Sequence, residues 1–203
     1  MLRILALIAL SIFTTCAYSA SKTVLVLGDS LSAEHGIERG SGWVALLGKK
    51  VKAEKLDSTI INASISGETT SGGLARLPAL LNKHRPDIVV IELGANDGLR
   101  GLSLSATEGN LHSIIMTSKN AKAKVLVVGM RLPPNYGTDY AQNFFSMFGR
   151  EAKQTQSSFV PFLLDGFAEK SEMFQADHLH PVASAQPIIL SNIWPTLKLL
   201  LTK

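Results

Sequence analysis

Runs of consecutive apolar residues, Val24-Leu25-Val26-Leu27 and Ile88-Val89-Val90-Ile91 above all, recur along this chain between longer stretches of helical periodicity. A strand wetted on one side alternates apolar and polar residues, whereas an uninterrupted apolar run marks a strand covered on both faces. Covered strands that alternate with helices, without hairpin signals, imply a parallel sheet with right-handed crossovers. Strands are expected at 23–27, 59–63, 88–93 and 124–129, with a fainter one at 159–163. Helices are expected at 43–56, 70–84, 105–120, 140–156 and 183–201. No repeat, low-complexity tract or linker interrupts them. The 203 residues, 46% hydrophobic and 18% charged, suit one α/β domain built as a three-layer sandwich.

Part of that hydrophobicity belongs to a leader. Arg3 gives a positive start, residues 4–13 are apolar, and small residues follow at Ala17, Ser19 and Ala20. This is the layout of a signal peptide, too short to span a bilayer. Cleavage after Ser19 is expected, leaving residues 20–203 as the mature domain, exported to the periplasm or the medium and not inserted in a membrane. Cys16, the sole cysteine, would leave with the leader, removing disulfides, thiol nucleophiles and cysteine-based zinc sites from consideration. Loss of Arg3 lowers the formal charge from +4 to about +3. The lysines near 49–55 and 119–124 fall on expected helix ends and exposed faces with no interleaved aromatics, so no nucleic-acid partner is expected. A monomer is the expected state.

Three successive strands each run into a polar loop: Gly28-Asp29-Ser30, then Ser64-Ile65-Ser66-Gly67-Glu68, then Gly94-Ala95-Asn96-Asp97-Gly98. In an open parallel sheet these loops leave one edge, where ligands bind. Acyl transfer needs a nucleophile, a base, a group that orients the base, and donors for the developing oxyanion. Ser30 offers a hydroxyl and a backbone N–H. Gly67 lets a second N–H approach closely, and Asn96 carries a side-chain NH₂. Singly, each segment reads as an ordinary cap or turn; together, after consecutive strands, they read as a site.

Asp177-His178-Leu179-His180-Pro181 supplies the remaining parts. Pro181 would open the last helix and leave His180 on a loop, with Asp177 three residues earlier placed to fix its tautomer. His178, adjacent to Asp177, is expected on the surface or the pocket rim. A rival reading takes Asp177, His178 and His180 as zinc ligands. It lacks a further donor, since His35, His84 and His112 are scattered in sequence, so neither metal nor organic cofactor is expected. Gly40-Ser41-Gly42-Trp43-Val44-Ala45 formally matches a dinucleotide fingerprint but follows no strand. The Gly-x-Ser-x-Gly elbow is absent.

Gly28-Asp29-Ser30-Leu31, the Gly67 loop, Gly94-Ala95-Asn96-Asp97 and Asp177-x-x-His180 resemble, in order, the four blocks of the SGNH (GDSL-type) hydrolases. Arg131-Leu132-Pro133-Pro134-Asn135-Tyr136-Gly137 and the 180–187 segment are similar to the bacterial periplasmic branch of multifunctional thioesterases, arylesterases and lysophospholipases. The resemblance implies a five-stranded parallel sheet between helices, flavodoxin-like. It implies Ser30 as nucleophile, His180 as base, Asp177 as its orienting acid, and an oxyanion hole from Ser30, Gly67 and Asn96. Ala33-Glu34-His35-Gly36 departs from the small residues usual in that branch, placing Glu34 and His35 either near the pocket mouth or in solvent.

The expected substrate is a small acyl ester, aryl ester or lysophospholipid, because an exported enzyme does not meet cytosolic acyl-coenzyme A; thioester cleavage fits the same chemistry. Leu31, Ile65, Pro133 and Tyr136 are the expected apolar walls. Phe144, Phe145 and Phe148, at helical spacing, read as core. Two alternatives use the same fold: a carbohydrate O-deacetylase, disfavoured by only 6% aromatic residues, and a non-catalytic module binding an anion at 67–73.

Overall fold

The computed structural model describes residues 21–203; the expected leader, residues 1–19, lies outside them. Five parallel strands, β1 (Lys22–Gly28), β2 (Ser58–Asn62), β3 (Ile88–Glu92), β4 (Lys124–Val128) and β5 (Ser158–Val160), form one sheet in the order β2-β1-β3-β4-β5. Helices α1 (Trp43–Ala53) and α6 (Gln186–Thr202) pack together on one face. Helices α2 (Thr70–His84), α4 (Leu104–Asn120) and α5 (Thr138–Gln154) cover the other. This is the expected three-layer sandwich, with the flavodoxin-like strand order.

Burial explains the apolar runs. Val24 to Leu27 in β1 and Ile88 to Ile91 in β3 are wholly inaccessible, filled against Trp43 and Leu47 of α1, Leu77 of α2, Ile114 of α4 and Ile189 and Ile193 of α6. β2 lies at the edge and is only half-buried. Pairing brings Gly28 level with Glu92 and Val26 level with Asn62, so the loops after β1, β2 and β3 leave the same edge. The strand order reverses between β1 and β3, and the crevice outside such a switch point is where open α/β sheets bind ligands.

The element ends differ from expectation for local reasons. β5 stops at Val160 because Pro161 has no N–H to continue the ladder. α1 ends at Ala53, since Lys55 turns left-handed at φ 55° and Leu56 N–H closes back on the Val51 carbonyl. Pro181 does not open the last helix. The segments 173–175 and 180–182 pair antiparallel, with Gln175 N–H donating to the His180 carbonyl and Val182 N–H to the Met173 carbonyl. α6 itself starts at Gln186, with Pro187 in its first turn. A further helix, α3 (Ala95–Leu99), takes up the segment expected to be a loop.

Candidate active site

β1 ends at Gly28, and the chain turns at once: Ser32 and Ala33 N–H both donate to the Asp29 carbonyl. Ser30 therefore sits on a tight turn just beyond the sheet, its side chain partly accessible. Glycine is required before it, because a Cβ at position 28 would lie 2.8 Å from both Glu92 Oε2 and Ser32 Oγ. From the other side, the 173–175/180–182 pairing carries His180 to the same point. His180 Nε2 lies 2.9 Å from Ser30 Oγ, and His180 Nδ1 lies 2.7 Å from Asp177 Oδ2.

Asp177 is held by the backbone as well. Its Oδ1 accepts from Leu179 N–H at 2.9 Å and His180 N–H at 3.0 Å. The His180 backbone bond, ahead of the other contacts, holds the Asp177 carboxyl well below the usual carboxylate range, so it is ionised at any working pH. An ionised Asp177 accepts the Nδ1 proton and leaves the Nε2 lone pair free toward the serine hydroxyl. That arrangement can pull the Ser30 proton as the oxygen attacks.

Asn96 lies in the first turn of α3, beside Ser30 on the cavity wall. Its Nδ2 donates to Asp29 Oδ2 at 3.1 Å and to the Glu68 carbonyl at 3.0 Å. The amide thus ties the loops after β1 and β2 to α3. Next to it, buried Asp97 accepts from Thr70 N–H at 2.9 Å and Thr70 Oγ1 at 2.6 Å, locking α3 to the start of α2. Gly67 adopts φ 80°, a left-handed conformation suited to glycine, and its carbonyl accepts from Arg100.

Beneath the serine lie two carboxyls. Asp29 is pushed up to about 6, chiefly by burial. Glu92, fully inaccessible, is raised well above its usual range by burial and then by Asp29. Glu92 Oε2 accepts from Ser32 Oγ at 2.6 Å and from Asp29 N–H at 3.3 Å, while Oε1 has no hydrogen-bond partner. Burial thus biases Glu92 toward its neutral form, and with Ser32 and the Trp43 indole N–H, 3.1 Å from Ser32 Oγ, it props the turn that carries Ser30. Nothing in the sequence pattern distinguished Glu92 from an ordinary strand end.

A cavity of about 420 Å³ opens beside Ser30, Asn96 and His180. Leu31 and Pro133 line it as expected walls, joined by Met130, Leu132, Phe162, Leu164, Phe174 and Leu179. Ile65 and Tyr136 are not in that lining. Ile65 projects outward, half exposed, and the Tyr136 hydroxyl is spent on the Leu99 carbonyl. His178 does line the cavity. Glu34 turns away from it, its Oε1 accepting from Gly40 and Gly42 N–H. Phe144 and Phe148 are fully buried against α3, whereas Phe145 is half-buried under the Arg131 guanidinium, 4.5 Å from its ring centre. Those walls also explain a signal the sequence hid. Phe162 falls inside the expected fifth strand and Leu164 just after it, both beyond the actual end of β5 at Val160, and Phe174 lies in the 173–182 pairing, so none of them carries a motif.

Comparison with known proteins places this geometry. The profile of the GDSL-like lipase/acylhydrolase family matches residues 26–186. The chain is 50% identical over 183 residues to Esterase TesA of Pseudomonas aeruginosa, covering 90% of this chain and 91% of that one. It is 41% identical over 178 residues to the Escherichia coli K12 protein named thioesterase 1/protease 1/lysophospholipase L1, covering 88% and 84%. The crystal structure of the psychrotrophic esterase EstA from Pseudoalteromonas sp., inhibited by monoethylphosphonate, superposes with a TM-score of 0.86 at 42% identity, over 90% of this chain and 100% of EstA. With the sheet, the four motif loops and these relatives in agreement, the chain belongs to the GDSL-like lipase/acylhydrolase family, the SGNH hydrolases, and so to the ester hydrolases.

Proposed function

We propose that the protein cleaves carboxylic esters of acyl chains through a Ser30–His180–Asp177 triad and an acyl-enzyme. The observation that carries this reading is the unbroken line from Ser30 Oγ through His180 to Asp177, at 2.9 and 2.7 Å, opening into an apolar cavity. Ser30 Oγ attacks the acyl carbonyl as His180 Nε2 takes its proton. The oxyanion is held by the backbone N–H groups of Ser30 and Gly67 and by the Asn96 amide. The tetrahedral centre collapses, His180 gives its proton to the departing alcohol or thiol, and the acyl group stays on Ser30. Water, deprotonated by His180, then attacks that ester and releases the acid, returning the proton to Ser30.

The apolar lining by Met130, Leu132, Phe162 and Leu164 supports an acyl chain in the cavity, with the leaving group toward solvent. Fatty acyl, aryl and lysophospholipid esters are the proposed substrates, with thioesters accepted by the same centre. Inhibition of EstA by a phosphonate supports a serine nucleophile here, because such inhibitors phosphonylate activated hydroxyls. The anion-binding alternative is opposed by the α2 N-terminus itself. Thr69 Oγ1 accepts from Gly72 N–H, the Asp97 carboxylate accepts from Thr70 N–H, and Glu68 adds a further negative charge beside Gly72.

Hydrolysis of p-nitrophenyl esters of increasing acyl length, by wild type and Ser30→Ala, tests the reading. Turnover is expected in the wild type and a loss of at least about 10³-fold in the variant. A folded wild type inactive at every length, or a Ser30→Ala protein of undiminished rate, would overturn it.

A further inference from the structure

The fold brings one more donor to the triad. His35, remote in sequence from the 177–180 segment, lies against it with its ring centre 4.3 Å from that of His180. One ligand atom from each of His35, Asp177 and His180 can be chosen so that all three lie within 4.8 Å of one another. The backbone fixes this proximity. His35 N–H donates to the Ser30 carbonyl at 3.4 Å, and Gln175 Nε2 bridges the His35 carbonyl at 2.9 Å and the Pro181 carbonyl at 3.2 Å. Asp177 is braced by two backbone N–H groups. The backbone of all three segments is therefore pinned, while the His35 and Asp177 side chains are exposed.

We propose that His35, Asp177 and His180 form a Zn²⁺ site whose occupancy switches the hydrolase off. Two imidazoles and a carboxylate are a zinc donor set, and nitrogen donors select against Mg²⁺. Tetrahedral zinc holds its ligands about 3.4 Å apart, so the exposed His35 and Asp177 side chains close on His180 by up to about 1.4 Å, and water from solvent fills the fourth position. The inhibition follows from the imidazole itself, and rests on the triad reading above. Neutral His180 has one lone pair and one N–H. Zinc at Nε2 occupies the lone pair that must receive the Ser30 proton. Zinc at Nδ1 displaces the bond to Asp177 and leaves the proton on Nε2, which then cannot act as a base. The metal donor is His35, not His178, which lines the acyl cavity instead.

The test measures zinc bound per chain by equilibrium dialysis alongside p-nitrophenyl butyrate hydrolysis, for wild type, His35→Phe and, as a comparator for adventitious histidine binding, His84→Phe. The wild type and His84→Phe are expected to bind one Zn²⁺ and to lose activity in proportion to occupancy, with recovery on adding EDTA and no response to Mg²⁺. His35→Phe, which keeps a ring beside His180, is expected to need at least about tenfold more zinc for both effects, each rate referred to that variant's own metal-free value. A wild type that binds no zinc at 100-fold excess, or a His35→Phe protein that binds and is inhibited like wild type, overturns the proposal. The dialysis reads the site even in Ser30→Ala, so a failed esterase reading and a failed zinc site are told apart.

Discussion

At the scale of single residues, the chemistry concentrates in side chains whose neighbours set their charge. Asp177 stays ionised because backbone N–H groups point at it; Asp29 and Glu92 resist ionisation because burial outweighs the few hydrogen bonds each accepts. Asn96→Ala is expected to lower kcat by about 10²–10³ with little change in KM, since its amide is asked to act on the oxyanion. Steady-state kinetics check this, and a pure KM effect would move Asn96 to ground-state binding. Asp29 gives a pH prediction. Its folded-state value, raised from 3.8 to about 6, means that the native state holds a proton the unfolded chain releases between those values. The stabilisation is present below about pH 4 and is lost as pH rises through 6, amounting to about 3 kcal/mol. Asp29→Asn removes that titration, so urea midpoints measured at pH 4.5 and 7.5 should differ less in the variant than in wild type. Equal differences in the two proteins would count against burial as the cause. Ser30 and Asn96 were legible because each lies in a short motif after an apolar run, Asp177 and His180 because an acid and an imidazole stand three residues apart just before Pro181. His35 and Glu92 were not, since one meets the 177–180 segment only across the fold and the other looks like any strand end.

At the scale of elements, α3 and the 173–182 pairing do the positioning, and both escaped a reading by periodicity. Five helical residues show too little of a 3.6-residue repeat, and an isolated pairing of three-residue segments shows no alternation to count. The long helices and central strands, by contrast, were found within a few residues, the ends of α1 and α6 set by Lys55 and Pro187. What holds α3 in register is Asp97, which accepts both Thr70 donors inside the core. Asp97→Ala leaves the buried Thr70 N–H and the proton of its hydroxyl, whose oxygen still accepts from Asn110, without an acceptor, at a cost of about 2–4 kcal/mol in unfolding free energy. Because Asn96 is the next residue, kcat should fall with it while an aryl ester's KM stays nearly constant. Denaturant titration and kinetics on one preparation separate the two effects. Lost stability with unchanged kcat would show that Asp97 braces the fold without aiming Asn96.

At the scale of the whole molecule, the site is a consequence of topology: β1 and β3 are neighbours whose following segments part at the switch point, one carrying Ser30 on a turn and the other Asn96 on α3. The same topology bears on the leader. β1 is a central strand, and it begins at Lys22, whose ammonium caps the end of α6 at the Leu200 and Leu201 carbonyls, 3.2 and 2.8 Å away. A cut after Ser19 therefore spares every residue of the sheet, while a cut beyond Lys22 would strip the anchor of a strand buried from Val24 onward. Among the described residues no helix is long and apolar enough to cross a membrane. Residues 1–19, if they are a cleaved export signal, should be dispensable for folding. Expression of residues 1–203 in a bacterium should give protein in the cell envelope or the medium whose mass corresponds to residues 20–203. Expression of residues 20–203 should give cytosolic protein with the same thermal midpoint and the same ester turnover. Full-length mass in the cytosol from the first experiment would remove the leader reading; an unfolded product from the second would mean that the first nineteen residues belong to the domain after all.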